Sequence, residues 1–233
     1  LLEDGSVNLY SLDENKIVDN YGVDAEKITV VHNAVEFNNH KFSKEDLGLS
    51  KNERVVLFLG RITLQKGPDY FVHTAKRVLD ILPGVTFVMA GSGDMQARMI
   101  EQAASFGIGD KFLFTGFLRG KDVDKAYQMA DLYVMPSVSE PFGITPLEAM
   151  RNNVPVLISK QSGVSEVVGH ALKTDFWDVD EMANQIIGFL EYPVLRQELK
   201  MNGSKEVRKF NWNEPARKCA EIYKQISSLK VSV

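Results

Sequence analysis

The 233-residue sequence predicts an α/β fold in which a doubly wound parallel sheet carries helices on both faces. Three observations point to it. From residue 54 onward, short apolar runs alternate with stretches of helical periodicity, the pattern of parallel strands joined by crossover helices. The first of these runs, residues 55–59, lacks the polar–apolar alternation of a half-exposed strand. Glycine and proline mark the junctions between the two kinds of segment.

In chain order, residues 1–35 contain a helical stretch over 13–21, a turn at Gly22 and an apolar strand over 28–31. They are expected to form a lead-in or interdomain segment, with residues 36–233 as the one main domain. Residues 55–59, Val-Val-Leu-Phe-Leu, suit a strand covered on both faces. Pro68 opens a helix that sets Phe71, Ala75, Val78, Leu79 and Leu82 on one face, and Pro83-Gly84 ends it. The unit recurs with strands near 85–90, 111–115, 131–135 and 154–158 and helices near 94–106, 121–130 and 145–152. After Lys160 come a turn region, a strand near 171–174 and helices near 179–191, 194–209 and 213–229. The C-terminus is therefore helical, and no internal repeat or low-complexity segment interrupts the domain.

With 44% hydrophobic and 25% charged residues, the chain has the composition of a folded domain with a core. A net charge of -4 gives no overall pull toward nucleic acid or anionic membranes. The single cysteine, Cys219, fits a reducing compartment, and its helical neighbours Ala216, Ala220 and Tyr223 predict that it is buried. No apolar run approaches the roughly 20 residues of a membrane-spanning helix, and no basic leader precedes an apolar core. The expectation is a soluble, cytoplasmic protein without a transmembrane segment. Because it begins Leu1-Leu2-Glu3, the chain reads as a piece of a longer protein.

Open parallel sheets bind ligands beyond the carboxyl ends of their strands, and the candidate residues follow strands. Gly60 permits close backbone approach after the first strand, while Arg61 and Lys66 place two permanent positive charges over one pocket. That pattern suits phosphate. Between Glu140 and Glu148, the segment Pro-Phe-Gly-Ile-Thr-Pro-Leu enters a helix and frees backbone N–H groups at Gly143, Ile144 and Thr145 for an anion. The flanking carboxylates would repel a bare diphosphate, so the ligand should also carry hydroxyl donors, as a sugar nucleotide does. Thr145-Pro146-Leu147-Glu148 also has the form of a capping box with proline at the first helical position, which would give Glu148 a structural role. Glu140, ahead of Pro141 in a loop, has no such role and is the stronger functional candidate.

Gly91-Ser92-Gly93 follows another strand and is either a nucleotide contact or a tight turn; Gln96 stands where a dinucleotide fingerprint needs its third glycine. Phe114-Thr115-Gly116 can offer backbone and aromatic contacts to a base, although Phe114 is equally a core candidate. Asp122-Val123-Asp124 and Asp178-Val179-Asp180 have the look of a metal-binding aspartate pair, but both lie at helix starts, where carboxylates are favoured anyway. The four histidines have no metal spacing, and no metal is expected.

In order and spacing, Gly60-Arg61 with Lys66-Gly67, Gly91-Ser92-Gly93, Phe114-Thr115-Gly116, and Glu140 to Glu148 around Pro141-Phe142-Gly143 resemble the motifs of retaining glycosyltransferases of family four. The resemblance covers roughly residues 20–225. It implies a Rossmann-like domain, the C-terminal, donor-binding half of a GT-B enzyme. It also implies that Arg61 and Lys66 hold the donor diphosphate and that Glu140 contacts hydroxyls of the transferred sugar beside the anomeric carbon. Gly143, Ile144 and Thr145 would donate from the backbone, Gly60, Gly91, Gly93, Phe114, Thr115, Gly116 and Phe142 would complete the donor site, and Glu148 would hold the ribose. No cofactor or metal is implied, only a nucleotide-diphosphate sugar as donor, with transfer that retains anomeric configuration. The acceptor-binding N-terminal domain of the same protein would be the missing partner.

Two departures stand out. His32-Asn33-Ala34-Val35-Glu36 occupies the place of the family's Pro-Asn-Gly-Val-Asp, and Ser162-Gly163 stands before Glu166 where two glycines are usual, which weakens the expected role of that loop. The competing readings are a related GT-B epimerase or phosphorylase and a nucleotide-sugar-binding regulatory module without catalysis. A phosphorylase often carries pyridoxal phosphate on a lysine, and no lysine here clearly fits that role.

Overall fold

The structure, a computed structural model, describes residues 6–8, 17–37, 40–45 and 50–229. Six parallel strands, β3 (Arg54–Leu59), β4 (Val85–Ala90), β5 (Phe112–Gly116), β6 (Leu132–Met135), β7 (Val156–Ser159) and β8 (Leu172–Thr174), form one sheet in the order β5-β4-β3-β6-β7-β8. From β3 the chain winds outward one way through β4 and β5, then returns to β6 and winds the other way. This is the doubly wound order with its reversal between β3 and β6.

Two apolar layers explain why strands such as β3 show no alternation: Val56 and Phe58 face one cluster, Val55 and Leu57 the other, and all four are buried. On the first face lie α1 (Pro68–Ile81), α2 (Gln96–Ser105) and α6 (Val179–Glu191). Phe71, Ala75 and Val78 of α1 meet Met182 and Ile186 of α6 there, on the helical stripe read from the sequence. On the second face lie α3 (Lys121–Met129), α4 (Ile144–Arg151) and the one-turn α5 (Val164–Val167), which occupies the expected turn region. Each fully buried Leu or Phe contributes roughly 1.5–3 kcal/mol relative to exposure.

α7 (Pro193–Glu206) ends earlier than expected, and a 3-10 turn, Val207–Lys209, completes that stretch. α8 (Asn213–Leu229) follows. Cys219 is only half-buried, and Ala216, Ala220 and Tyr223 are exposed, so the buried cysteine expected from periodicity is not found. Periodicity aligned these residues on one side of the helix, but no described element covers that side.

The lead-in holds more structure than expected. Residues 17–21 are helical, while 13–16 lie outside the described residues. β1 (Ser6–Asn8) pairs in parallel with β2 (Ile28–Val30), in a two-stranded sheet separate from the main one. The segment after β2 then joins the main core: Val35 is buried in the second cluster, and its N–H donates to the Phe210 carbonyl at 3.0 Å. A buried polar clasp adds to this. Asp124 accepts from Arg151 at 2.8 Å and pairs with His40 at 2.8 Å.

Candidate functional site

The reversal between β3 and β6 brings two loops together. Gly67 caps α1 with φ 63°, and a β-carbon there would stand 2.1 Å from the Pro136 carbonyl oxygen. Only glycine fits that conformation and that contact. The Val138 N–H donates to the Gln65 carbonyl at 3.0 Å, lacing the loops together. This lacing sets Lys66 against Glu140, and their side chains form an ion pair with only 20% and 11% exposure. Such a pair is screened far less than a surface pair.

A third loop braces Glu140. The Gly163 N–H donates to the Glu140 carbonyl at 3.0 Å, Glu140 bridges to buried Ser162, and a β-carbon on Gly163 would lie 2.0 Å from the Pro141 carbonyl oxygen. The Ser162-Gly163 loop, expected to matter little, thus fixes the backbone of the candidate glutamate.

The capping box is not found. α4 starts at Ile144, two residues before the capping box would open it, because Gly143 caps it at φ 96° and ψ 91°, a conformation open to glycine. Pro146 becomes the third helical residue, where a missing N–H costs nothing since the first turn has no intrahelical acceptors. The N–H groups of Ile144 and Thr145 are in that first turn, beside Gly143. No side chain caps the helix. Instead, the Thr145 hydroxyl accepts from the Tyr133 hydroxyl at 2.8 Å, and Glu148 Oε2 accepts from the Tyr127 hydroxyl at 3.0 Å. Both tyrosines are buried and stand edge to face at 5.7 Å, and burial pushes both phenols well above the usual range, so both remain donors. Glu148 is therefore free of the structural role its sequence suggested.

Two adjoining cavities share Leu59 and Gly60. The larger, about 430 Å³, is lined by Arg61, Ala90, Gly91, Phe117 and Val123 among others. The smaller, about 30 Å³, is bordered by Lys66, Tyr133, Ser137 and Thr145. Arg61 and Lys66 thus flank Gly60 from two cavities rather than sharing one pocket. Arg61 is exposed, with its guanidinium 3.2 Å from Gln65 Oε1. A β-carbon on Gly60 would meet nothing within 4 Å, so this glycine leaves open space above the strand end.

The other glycines serve backbone packing. A β-carbon on Gly91 would lie 1.8 Å from the Gly60 carbonyl oxygen, and one on Gly93 would lie 2.2 Å from that of Ile62. Gly91 still lines the cleft, whereas Gly93 does not. Two further candidates move into the interior. Phe142 is 1% exposed, and Phe114 packs against the first core, stacked on Phe112 at 5.5 Å. Neither Thr115 nor Gly116 lines the cleft; its wall at β5 is Phe117, Leu118 and Val123. The bend at Gly116, φ 71°, carries the chain away from the strand, so the contact surface begins one residue later than the motif suggested. Phe117 is 64% exposed, with the Arg119 guanidinium 5.1 Å from its ring centre.

The paired aspartates serve the protein itself. Asp122 bonds Lys125 at 2.8 Å, Asp124 is in the clasp described above, and Asp178 caps α6 by accepting from the Glu181 N–H at 3.0 Å.

Comparison with known proteins bears on the family and the fold. The family model described as glycosyl transferases group 1 matches residues 39–206. An uncharacterized glycosyltransferase of Methanocaldococcus jannaschii is 32% identical over 219 residues, covering 85% of this chain and 54% of that protein. A D-inositol 3-phosphate glycosyltransferase of Segniliparus rotundus is 28% identical, covering 84% and 46%. The chain therefore spans about half the length of the curated relatives it matches. The solved structure of the Anabaena protein HepE, in complex with UDP and glucose, superposes with a TM-score of 0.83 at 22% identity, over 97% of this chain and 63% of that one. The fold is that of the C-terminal Rossmann-like domain of GT-B glycosyltransferases. With the family model covering most of its length, the chain belongs to the glycosyl transferases group 1 family.

Proposed function

We propose that this chain is the donor-binding half of a glycosyltransferase that moves a sugar from a nucleotide-diphosphate sugar to an acceptor with retention at the anomeric carbon. The observation that carries the reading is the Lys66–Glu140 pair at the sheet reversal, next to the unpaired first-turn N–H groups of α4. A diphosphate entering there draws Lys66 away from Glu140. That leaves the carboxylate to accept hydrogen bonds from hydroxyls of the transferred sugar. Arg61 and the N–H groups of Gly143, Ile144 and Thr145 take up the remaining phosphate charge, which stabilises the leaving group.

The bond between the anomeric carbon and the diphosphate oxygen breaks, and the acceptor oxygen attacks from the face the diphosphate leaves. The acceptor proton passes to the departing phosphate oxygen. The base sits in the larger cleft against Phe117, and Glu148 accepts from the ribose. UDP is the first nucleotide to test, since HepE was solved with it. The acceptor site belongs to an N-terminal domain of the full-length protein, consistent with the share of its relatives that this chain covers. Among the described residues no helix is long and apolar enough to cross a membrane. With one cysteine in the chain, a reducing cytoplasm is the proposed location.

Calorimetry of the chain with UDP, GDP, ADP and their sugars tests this reading. One nucleotide family should bind with an affinity unchanged by a metal chelator, because protein charges replace a cation. Failure of all of them to bind would contradict the assignment, and robust transfer to an acceptor by this chain alone would contradict the proposed division of labour.

A further inference from the structure

Resting on the donor-site reading above, we infer that Tyr127 is a positioning residue that aims Glu148 at the ribose and so sets the preference for ribose over deoxyribose. A carboxylate on a helix surface samples several rotamers, and ordering it on binding costs free energy. Here one oxygen is already held. The Tyr127 hydroxyl, on a fully buried ring from α3, donates to Oε2 at 3.0 Å across the seam between α3 and α4. Oε1 remains as the acceptor for a ligand hydroxyl, with Glu148 itself only partly buried.

The ring cannot turn away. Tyr127 packs among Tyr133, Leu147 and Ala126 in the second core, with Tyr133 edge-on at 5.7 Å. Tyr133 supports the same helix in the same manner, through Thr145 one turn earlier. Two buried phenols thus present the polar residues of α4 from beneath. Burial keeps the Tyr127 phenol protonated, so the hydrogen bond runs from tyrosine to carboxylate across the working pH range. A hydrophobic residue of similar size would fill the core equally well, and among the described residues the hydroxyl donates to the Glu148 carboxylate.

The test compares UDP with 2′,3′-dideoxy-UDP by calorimetry on the wild-type chain, Tyr127→Phe and Glu148→Ala. Wild type should favour UDP by about tenfold or more, the value of a hydrogen bond to a charged group. Glu148→Ala should bring the ratio near one, and Tyr127→Phe should lower it at least threefold while changing affinity for the dideoxy compound less than twofold. Because the ratio is taken within each variant, a loss of folded protein does not imitate the effect. If Glu148→Ala abolishes the preference and Tyr127→Phe keeps the wild-type ratio, the positioning role is overturned and the ribose assignment stands. If wild type shows no preference, both are overturned.

Discussion

The two ends of the cleft are built in opposite ways. At the β3–β6 reversal, three loops lock through glycines: Gly67 against Pro136 and Gly163 against Pro141, with Lys66 already paired to Glu140. At the β4–β5 end the cleft is open and mostly apolar, bordered by exposed Phe117 and by Arg61. Under the proposed reading, the difference matches two kinds of binding: charge that develops during bond breaking needs donors on a braced backbone, while a flat base needs only an apolar wall that it can slide against.

The largest effects should come from breaking the lock. Gly67→Ala combines a left-handed φ with a 2.1 Å contact to carbonyl oxygen, and denaturant unfolding should show a loss of about 2–4 kcal/mol together with lost nucleotide binding. Gly60→Ala sharpens the contrast. Its β-carbon meets nothing, so stability should stay within about 0.5 kcal/mol while nucleotide affinity falls, because the new methyl enters the cavity floor.

Next come the cations. Lys66→Ala should weaken UDP binding by about 2–3 kcal/mol, and Arg61→Ala, whose side chain is exposed and more mobile, by about 1.5 kcal/mol. Equal losses would show that the two ends are not organised differently. At the open end, Phe117→Ala should cost about 1 kcal/mol of UDP affinity and leave the melting temperature unchanged.

The smallest effect is pH-linked. Burial, aided by the nearby charge of Lys218, lowers the pKa of His32, and its Nε2 is buried without a hydrogen bond. The unfolded chain therefore binds more protons than the folded one below the ordinary value of 6.5. Stability should be undiminished above that pH and fall as pH drops toward the folded pKa, by a small amount because the residue is only partly buried. His32→Gln should flatten that slope between pH 7.5 and 5.5 in thermal melts.

Much of this architecture was readable in the residues. The strand 55–59 announced burial on both faces, and the stripe Phe71, Ala75, Val78 did meet the core. Local rules failed in two ways. The capping-box pattern of Thr145 was outweighed by the neighbouring Gly143, and the real partner of Glu148 is 21 positions away on another helix. Glu140 has no local task in its loop, and its partner Lys66 lies 74 residues earlier, brought near by the sheet order and the lacing of the two loops. Phe114 and Phe142 carried motif positions but served packing, a distinction that depends on which side of a strand or loop faces the core. The three-residue strand β1 is too short for any periodicity to reveal.

The phosphate clamp is tested most directly by comparing UDP with UMP. Wild-type chain should bind UDP at least tenfold more tightly, and in the Lys66→Ala/Arg61→Ala double variant that ratio should collapse toward one while UMP affinity changes little. An unchanged ratio in the double variant would place the second phosphate elsewhere and contradict the assignment of this cleft.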